Sequence, residues 1–557
     1  MHVATMPSRT ERLGARDAAG DLARLPAILA LASALVATLL IFWSYARTSQ
    51  TWDESAHIAT GMEWLARGTY VLDPIDPPLP RVSTAVGPYL LGIRPFGNVD
   101  PWQEGNLILT AQGNSRMHTV LTAARLGILP YFLIAAFLVW RITRRWLGPW
   151  PAAVATFLFS TCPPVLAHAS LATTDVAFLA TFLFAVDSLW LAFQDPRPLR
   201  CAVAGLAFGL ACISKLSALP YLLLCSFVFL VYVVWTRKLF PRVVAWLVFS
   251  VAAAVTIWAG YHFSTGRLAT DDPQSQQSVQ HLEQDFGPAR GLVTAFFNHF
   301  PAYQYPQGLR TASRMKQNPP IGYLFGEVYH GGRWYFFLLM LLLKTPIPFM
   351  LLLLCGLVFA IRRLVSQHDG YTLVPLAGIF FPILVATLSH INIGVRHVLV
   401  VYPFFAMLAA LAALEFYRRF SRSGRGVAAA VAVLLGWQLV SCLRTAPDFI
   451  SYFIEPVGSR GALLSVDSDF DWGQDLFRLH DKLEELHATN VAIAYNGPAN
   501  LNPYGFPGWT KLEPGQHVTG WVAISESHIR INPGFSWLNQ YQPVAHAGRT
   551  MRIYYIK

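Results

Sequence analysis

Residues 26–45 have the sequence PAILALASALVATLLIFWSY, a run of 20 residues without a charged side chain. About 20 apolar residues form a helix long enough to cross the hydrocarbon core of a bilayer. Four arginines, from Arg9 to Arg24, precede the run, and Asp53-Glu54 follows it. The run is too long for the apolar region of a signal peptide and lacks a small-residue cleavage site. We therefore expect it to be a retained first transmembrane helix.

The same apolar pattern recurs along the 557 residues of the chain, of which 54% are hydrophobic and 13% charged. Soluble proteins carry about 25% charged residues. The sequence therefore predicts a polytopic α-helical membrane protein with about eleven transmembrane helices. The further runs cover residues 119–140, 150–166, 176–193, 201–213, 218–235, 243–261, 334–360, 373–388, 398–414 and 427–443.

The basic residues indicate the orientation of these helices. Lys and Arg exceed Asp and Glu by 42 to 31, a net charge of +11. Such an excess is found in nucleic-acid-binding proteins, but here it is concentrated in alternate short loops, as the positive-inside rule describes. We therefore expect no nucleic-acid partner and a plasma (inner) membrane location, with a cytoplasmic tail over residues 1–24. The predicted inner-loop clusters are Arg141/Arg144/Arg145, Arg197/Arg200, Arg237/Lys238/Arg242, Arg362/Arg363 and Arg418/Arg419/Arg422/Arg425.

Three long polar stretches then share the extracytoplasmic face, over residues 46–118, 262–333 and 444–557. We expect a transmembrane domain over residues 25–443 and a small α/β domain over residues 444–557. The tail combines a leucine-rich helical repeat with short alternating runs. Its predicted helix covers residues 473–487, and its predicted strands cover residues 462–466, 490–495, 518–525 and 551–556.

Two carboxylates and a histidine follow the first helix, in Trp52-Asp53-Glu54-Ser55-Ala56-His57. Adjacent carboxylates near a membrane are costly unless they are solvated or used. One could remove a proton from an acceptor hydroxyl, and its neighbour could bind a metal ion or a second substrate group. The structural alternative is that Asp53 caps a helix over residues 54–67.

Two further outer loops carry candidate residues. Residues 70–81 contain four prolines, which fix a rigid path and hold Asp76 and Arg81 in place. A guanidinium there suits a phosphate, although an ordinary surface loop has the same appearance. Residues 168–175 run from His168 to Asp175, and an acid that enters a membrane helix is a functional candidate. Its structural alternative is an N-cap formed by Thr174 or Asp175.

A group of cations breaks the positive-inside pattern. Lys215, Arg333, Lys344 and Arg396 all lie on the predicted outer side, where the rule disfavours positive charge. A cation held there suggests a fixed anion, and a lipid phosphate is the obvious one. Each of them alone could be a residue that extends to the interface.

The tail contains an acidic run, Asp467-Ser468-Asp469-Phe470-Asp471-Trp472-Gly473-Gln474-Asp475. Its composition is that of a calcium loop, but it lacks the later Gly and Glu of an EF-hand. We therefore expect an acidic loop that stabilises the start of the following helix.

Taken together, these segments resemble the lipid-carrier-dependent glycosyltransferases of family 39, which include the protein O-mannosyltransferases and the lipid A aminoarabinose transferase and have the membrane GT-C fold. The resemblance runs from about residue 51 to the end, over motifs in a fixed order. These motifs are Asp53-Glu54 with His57 and Gly61, Gly68-Thr69-Tyr70, Pro77-Pro78-Leu79, Tyr323-Leu324-Phe325-Gly326, Trp334-Tyr335, Lys344-Thr345-Pro346, Asn392 to His397 with Tyr402-Pro403, and Asp471-Trp472-Gly473-Gln474-Asp475.

The resemblance implies transfer of a sugar, with inversion, from a polyprenyl-phosphate carrier to an extracytoplasmic protein, glycan or lipid. By position Asp53 matches the catalytic carboxylate, with Glu54 beside it. The candidates for the donor phosphate are Lys215, Arg396 and Arg81. Further candidate positions are His57, Asp76, His168, Asp175, Asn392, His397 and Asp471.

The resemblance leaves the cofactor and the acceptor open. Cationic side chains could receive the phosphate charge, so no cofactor is required, although a divalent metal ion at Asp53 and Glu54 is an alternative. Eukaryotic protein mannosyltransferases carry a different luminal domain in a middle loop. The identity of their acceptor therefore cannot be transferred to this chain. Two other functions also fit a polytopic protein, namely a transporter or lipid flippase, and a non-catalytic protein whose outer domain binds polysaccharide or protein.

Overall fold

The computed structural model describes residues 9–237, 242–268, 290–315, 319–420 and 424–557. Within these ranges nine helices are long and apolar enough to cross a membrane. They are Arg24–Arg47, Asn114–Leu147, Asp175–Gln194, Ala218–Thr236, Val243–Gly260, Ile347–Gln367, Gly370–Ser389, Val395–Arg419 and Arg425–Thr445. Some residues used in the sequence analysis lie outside the described ranges, namely residues 1–8, 269–289 and 316–318, Lys238 and Arg422.

The predicted polytopic helical fold is confirmed, but the count of spans is lower than eleven. One predicted span is a pair of helices, Pro149–Ser160 and Pro163–Ala169, bent by 63°, which makes a tenth span if it is counted as one. The helix breaks where two prolines follow each other, because proline supplies no backbone N–H. Another, Pro198–Cys212, has only 15 residues. At about 1.5 Å per residue it is shorter than a hydrocarbon core of about 30 Å.

Two of the long helices form the centre of the bundle. Asp175–Gln194 and Val395–Arg419 are the most deeply buried of the nine spans found in the described ranges. Asp175 is the first residue of one, and Arg396 is the second residue of the other. Further along the first helix, Asp187 accepts hydrogen bonds from Arg145 and from the Tyr371 hydroxyl.

The first outer stretch, residues 46–118, folds into short helices. They pack so closely that the backbone of one helix contacts the backbone of the next. A Cβ added at Gly61 would lie 1.9 Å from the Arg81 carbonyl oxygen, and one at Gly105 would lie 2.0 Å from the Ser55 carbonyl oxygen. Only glycine allows so close an approach. The contact at Gly61 sets the helix Glu54–Arg67 against the helix Pro78–Leu90.

The tail contains a five-stranded mixed sheet. Its strand order is Thr510–Lys511, Ala492–Ala494, Gly520–Ser525, Met551–Ile556 and Ala545–Ala547. The first three strands are parallel, and the last two pair antiparallel to their neighbours. The helix Leu476–Glu485 buries Leu476, Leu479 and Leu483, as its leucine spacing predicts.

The predicted strand over residues 462–466 is wrong. Gly461–Leu464 is a single helical turn, and Ser465 and Val466 follow it in extended conformation. A short apolar run fits a helix or a strand equally well, and the partner decides. Here the run packs against Phe453 and Phe470 rather than against another strand.

The first outer stretch and the tail share one hydrophobic core. Ile58, Met62 and Ile108 from the former belong to the same buried cluster as Leu483 and Ile553 from the latter. Burial of an aliphatic side chain contributes about 1.5–3 kcal/mol. The α/β domain is therefore packed onto the loop that carries Asp53 and Glu54.

The other regular elements connect these parts. The remaining helices are Pro101–Thr110, Arg290–Asn298, Gln304–Met315, Phe336–Lys344 and Glu526–Ile531. The 3-10 turns outside the nine spans are Gly458–Arg460, Asp467–Asp469, Asn502–Tyr504 and Pro533–Gln540. Two small hairpins pair Thr265–Gly266 with Phe300–Pro301, and Gly322–Leu324 with Glu327–Tyr329.

We expect Gly61→Ala to lower the melting temperature in detergent, because the new methyl group meets a backbone carbonyl that cannot move alone. Overpacking of this kind costs about 1–3 kcal/mol. Gly436→Ala is the matched control, since a Cβ there meets no atom within 4 Å. That control is expected to be neutral or slightly stabilising. Equal melting temperatures for the two variants would contradict the close helix contact.

Candidate active site

Asp53 occupies the N-cap position of the helix Glu54–Arg67, but its carboxylate does not cap the helix. The carboxylate turns away, and its Oδ2 lies 2.5 Å from Arg396 Nη1. The backbone N–H of Thr51 is bound by Glu54 Oε2 at 2.8 Å. Asp53 therefore stands at the predicted N-cap position, but its side chain does not make the capping hydrogen bond.

A second ion pair lies on the same face. Lys215, between the helices Pro198–Cys212 and Ala218–Arg237, places its Nζ 2.6 Å from Asp175 Oδ1. Thr174, at the N-cap position of the helix that Asp175 begins, makes no side-chain capping hydrogen bond. His168 lies next to this pair, with its Nδ1 3.8 Å from Asp175 Oδ2.

One cavity of about 460 Å³ brings the distant candidates together. Asp53, Lys215 and Arg396 all line it, although they are far apart in the sequence. Part of its wall is apolar and comes from two membrane helices and the segment 304–315. The other lining residues include His57, Asp73, Asp76, Arg81, Thr174, His397, Leu216, Pro220, Tyr221, Leu309, Val385 and Ala386.

Arg81 holds the proline-rich loop together. Its guanidinium binds Asp73 at 2.6 Å and Asp76 at 3.3 Å, and its Nη1 also donates to the Asp73 carbonyl at 2.6 Å. Its Nε donates to His57 Nδ1 at 3.0 Å. Because these bonds and a weaker one to Tyr70 use the guanidinium donors, Arg81 borders the cavity as a structural clamp. Arg81 lines the same cavity as Lys215 and Arg396, so its assignment as a phosphate ligand stays a prediction.

His57 is neutral at this site. Burial lowers its pKa, and the neighbouring Arg81 guanidinium lowers it further. Because Nδ1 accepts the Arg81 hydrogen bond, the ring proton of the neutral form is on Nε2. His57 therefore orients Arg81 and presents one N–H.

Glu54 does not line the cavity, which corrects its assignment as a partner of Asp53. It is fully buried, and both its oxygens lie 2.8 Å from Arg125, one on Nε and one on Nη2. Oε1 also accepts the backbone N–H of Ala172 at 2.8 Å. Arg125 was not among the predicted site residues, although an arginine inside an apolar run signals a buried acidic partner.

The adjacent carboxylates Asp53 and Glu54 do not form a cation site. Their side chains point to different arginines, Arg396 and Arg125. In the part of the chain that the structure describes, no group of three or more His, Cys, Asp or Glu side chains could hold a metal ion. The residues present therefore do not fit a divalent ion shared by Asp53 and Glu54.

Several other predicted residues have structural roles. Asn392 accepts the backbone N–H of Arg333 at 2.5 Å, and the guanidinium of Arg333 pairs with the exposed Glu327. Lys344 is buried and donates to the carbonyls of Ile450, at 2.8 Å, and Asp469. These three side chains are outside the cavity that Asp53 lines.

Asp471 belongs to the tail. Its carboxylate accepts the backbone N–H of Ser527 at 2.8 Å and that of Gly473 at 3.3 Å. Burial raises its pKa to about 7 despite these bonds. The residue after it, Trp472, was quoted only as part of a motif, yet its ring lies against Arg396.

We expect Glu54→Gln to destabilise the protein strongly, because it leaves the Arg125 charge buried and uncompensated. Breaking a buried pair costs about 3–5 kcal/mol. Adding Arg125→Met should recover part of this loss, as measured by the melting temperature in detergent. Glu327→Gln breaks the exposed pair with Arg333 and should cost at most about 1 kcal/mol. A Glu54→Gln protein of normal stability without transferase activity would show instead that Glu54 takes part in catalysis.

Comparison with known proteins supports the family resemblance. Residues 116–259 match the family described as dolichyl-phosphate-mannose-protein mannosyltransferase. No curated protein matches the chain. Among solved structures, ArnT from Cupriavidus metallidurans bound to undecaprenyl phosphate is 14% identical, with a TM-score of 0.50 over 95% of this chain and 98% of that one.

Two further structures align with lower TM-scores. The apo state of the same ArnT is 13% identical, with a TM-score of 0.46 over 94% of this chain and 97% of that one. An oligosaccharyltransferase of Archaeoglobus fulgidus is 10% identical, with a TM-score of 0.49 over 93% of this chain and 72% of that one. The chain is therefore a multi-pass membrane protein with the fold of ArnT, and part of its membrane domain is similar to the mannosyltransferase family.

Proposed function

We propose that this chain transfers a sugar from a polyprenyl-phosphate carrier to an acceptor hydroxyl on the extracytoplasmic face, with inversion at the anomeric carbon. The observation that carries the proposal is the cavity in which the Asp53 carboxylate meets the cations Arg396 and Lys215 beside an apolar wall. Such a cavity can hold a lipid phosphate and a polar acceptor at once.

The apolar wall suits the carrier. Tyr221 and Pro220 come from the helix Ala218–Arg237, and Val385 and Ala386 come from the helix Leu373–Ser389, both in membrane spans. An isoprenoid chain can run along these side chains while its phosphate reaches the cations. ArnT, which has the same fold, was solved with undecaprenyl phosphate.

The cations suit a leaving phosphate. Within the described residues, the buried Nε of Arg396 has no hydrogen-bond partner, so one N–H of the guanidinium is available to an oxygen anion. In the reaction the bond between the anomeric carbon and the phosphate oxygen breaks, and polyprenyl phosphate leaves with the electron pair. Arg396 and Lys215 stabilise the charge that grows on that oxygen.

Asp53 suits the role of general base. Burial by itself raises its pKa, but the Arg396 guanidinium lowers it, so that the net pKa is below the ordinary value. Asp53 is therefore ionised at neutral pH. It accepts the proton of the acceptor hydroxyl while that oxygen attacks the anomeric carbon from the side opposite to the phosphate.

The orientation of the site follows from charge. Lys215 and Arg396 lie at the same end of the bundle as the tail, which is packed on residues 46–118. The arginine clusters of the predicted inner loops indicate that the other end faces the cytoplasm. We therefore place the active site on the outer face of the plasma (inner) membrane, with the sugar and the acceptor to be identified by experiment.

We expect Asp53→Asn to lower transfer about 10²–10⁴-fold, the range for loss of a general base, with normal expression. Its melting temperature should fall less than that of Glu54→Gln, because the side chains of Arg396 and Asp53 are 12% and 22% exposed. The measurement is mass spectrometry of envelope glycans, glycolipids and glycoproteins in a deletion strain carrying each variant. Asp195→Asn is the matched control, because it removes a carboxylate that pairs with Arg197 and Arg200 away from the cavity. Restoration of the missing sugar by Asp53→Asn would reject Asp53 as the base.

The acid limb of the pH–rate profile should depend on Arg396. In the wild-type enzyme the lowered pKa of Asp53 keeps the base ionised until the pH falls below the ordinary carboxyl range. Removing the guanidinium in Arg396→Gln takes away the charge that lowers the pKa of Asp53. We expect the acid limb of the residual activity to move to higher pH. An unchanged limb would show that another group sets it.

A further inference from the structure

The acidic loop of the tail, residues 467–475, touches both segments of the membrane domain that carry the ion pair. On the Asp53 side, the Trp52 N–H donates to the Trp472 carbonyl at 3.1 Å, and the Ser49 N–H donates to the Gln474 carbonyl at 2.9 Å. The Ser49 hydroxyl donates to the Gly473 carbonyl at 3.0 Å. The backbone just before Asp53 is therefore hydrogen-bonded to the tail.

On the Arg396 side, the loop binds the residues immediately before the arginine. The Val395 N–H donates to Asp469 Oδ1 at 2.9 Å, and the Ser468 hydroxyl donates to the Ile393 carbonyl. Gly394 between them has φ +127°, and a Cβ there would lie 2.1 Å from Ser468 Oγ. Only glycine lets the loop approach this closely.

Trp472 completes the contact with a ring. Arg396 Cζ lies 4.3 Å from the centre of the Trp472 indole, within the range of a cation–π interaction. Trp472 is 2% exposed, so the contact is made away from water, where such an interaction is strongest. The guanidinium is thus held by an indole and by the Asp53 carboxylate.

We propose that Trp472 is a positioning residue for Arg396, and that the C-terminal domain thereby forms part of the transfer site. The proposal rests on the proposed function for the identity of the ligand, a lipid phosphate. When that phosphate replaces Asp53 as the anion bound to Arg396, the indole holds the cation in place. Asp53 is then released to accept the acceptor proton without a large movement of either side chain.

The test uses the full-length protein and undecaprenyl phosphate as the probe. We expect Trp472→Leu to weaken binding about 10-fold, within the strength of a buried cation–π contact, and to raise the donor KM more than it lowers kcat. Trp472→Phe keeps an aromatic face and should restore most of the affinity. Phe535→Leu is the control, because Phe535 is equally buried, at 1% exposure, in a different cluster of the same domain. It should lower the melting temperature without changing the affinity.

A double-mutant cycle separates positioning from a general loss of stability. In an Arg396→Gln background, Trp472→Leu should change the affinity for undecaprenyl phosphate less than twofold. A full 10-fold loss in that background, or normal affinity in folded Trp472→Leu, would overturn the proposal.

The same double-mutant cycle can be measured without ligand, by comparing the melting temperatures of the variants. In the free protein, the loss for the Trp472→Leu/Arg396→Gln double variant should be smaller than the sum of the two single losses, since the two side chains share one contact. Additive losses would overturn the positioning role. If the wild-type protein binds no undecaprenyl phosphate, the proposed donor is wrong, and the ligand-free cycle still decides whether Trp472 positions Arg396.

Discussion

The ion pair between Asp53 and Arg396 is the interaction on which the rest of the site depends. Its two atoms lie 2.5 Å apart and join residues separated by 343 positions in the chain. Removing both charges from water is costly unless the geometry is good and further bonds are made. The surrounding elements meet this condition. The Asp53 carboxylate makes no capping bond to the helix Glu54–Arg67 and is therefore available to Arg396. The acidic loop of the tail holds the segment before Arg396 in place.

Positive charge alone does not identify a ligand-binding residue on this face. Arg81, Arg125 and Lys344 are buried cations whose donors are engaged by carboxylates and backbone carbonyls. They hold together the proline-rich loop, the start of the helix Glu54–Arg67 and the junction with the tail. Arg396 and Lys215 differ because each pairs with a single carboxylate, whereas Arg81 at the same cavity pairs with two. A cation held by a single carboxylate can exchange that carboxylate for a substrate anion.

The tail is part of this arrangement. Its sheet and helix share a hydrophobic core with the first outer stretch, and its acidic loop contacts both halves of the ion pair through Trp52 and Val395. The tail is therefore attached to the membrane domain by both apolar packing and hydrogen bonds, and the hydrogen bonds lie next to Asp53 and Arg396. A domain attached only by a flexible linker would make neither.

The sequence by itself determined the membrane fold, because apolar runs of bilayer length and alternating arginine clusters are local patterns that need no tertiary information. It also selected Asp53, Lys215 and Arg396, since charges near a membrane are costly unless they are used. It could not show that the neighbouring carboxylates Asp53 and Glu54 have different partners. Neighbouring residues of the same charge look alike until the direction of each side chain and its partner are known. Only the tertiary structure decided this, by pairing Glu54 with Arg125 and Asp53 with Arg396. It also placed Trp472 against the arginine, a contact between residues that no local pattern links.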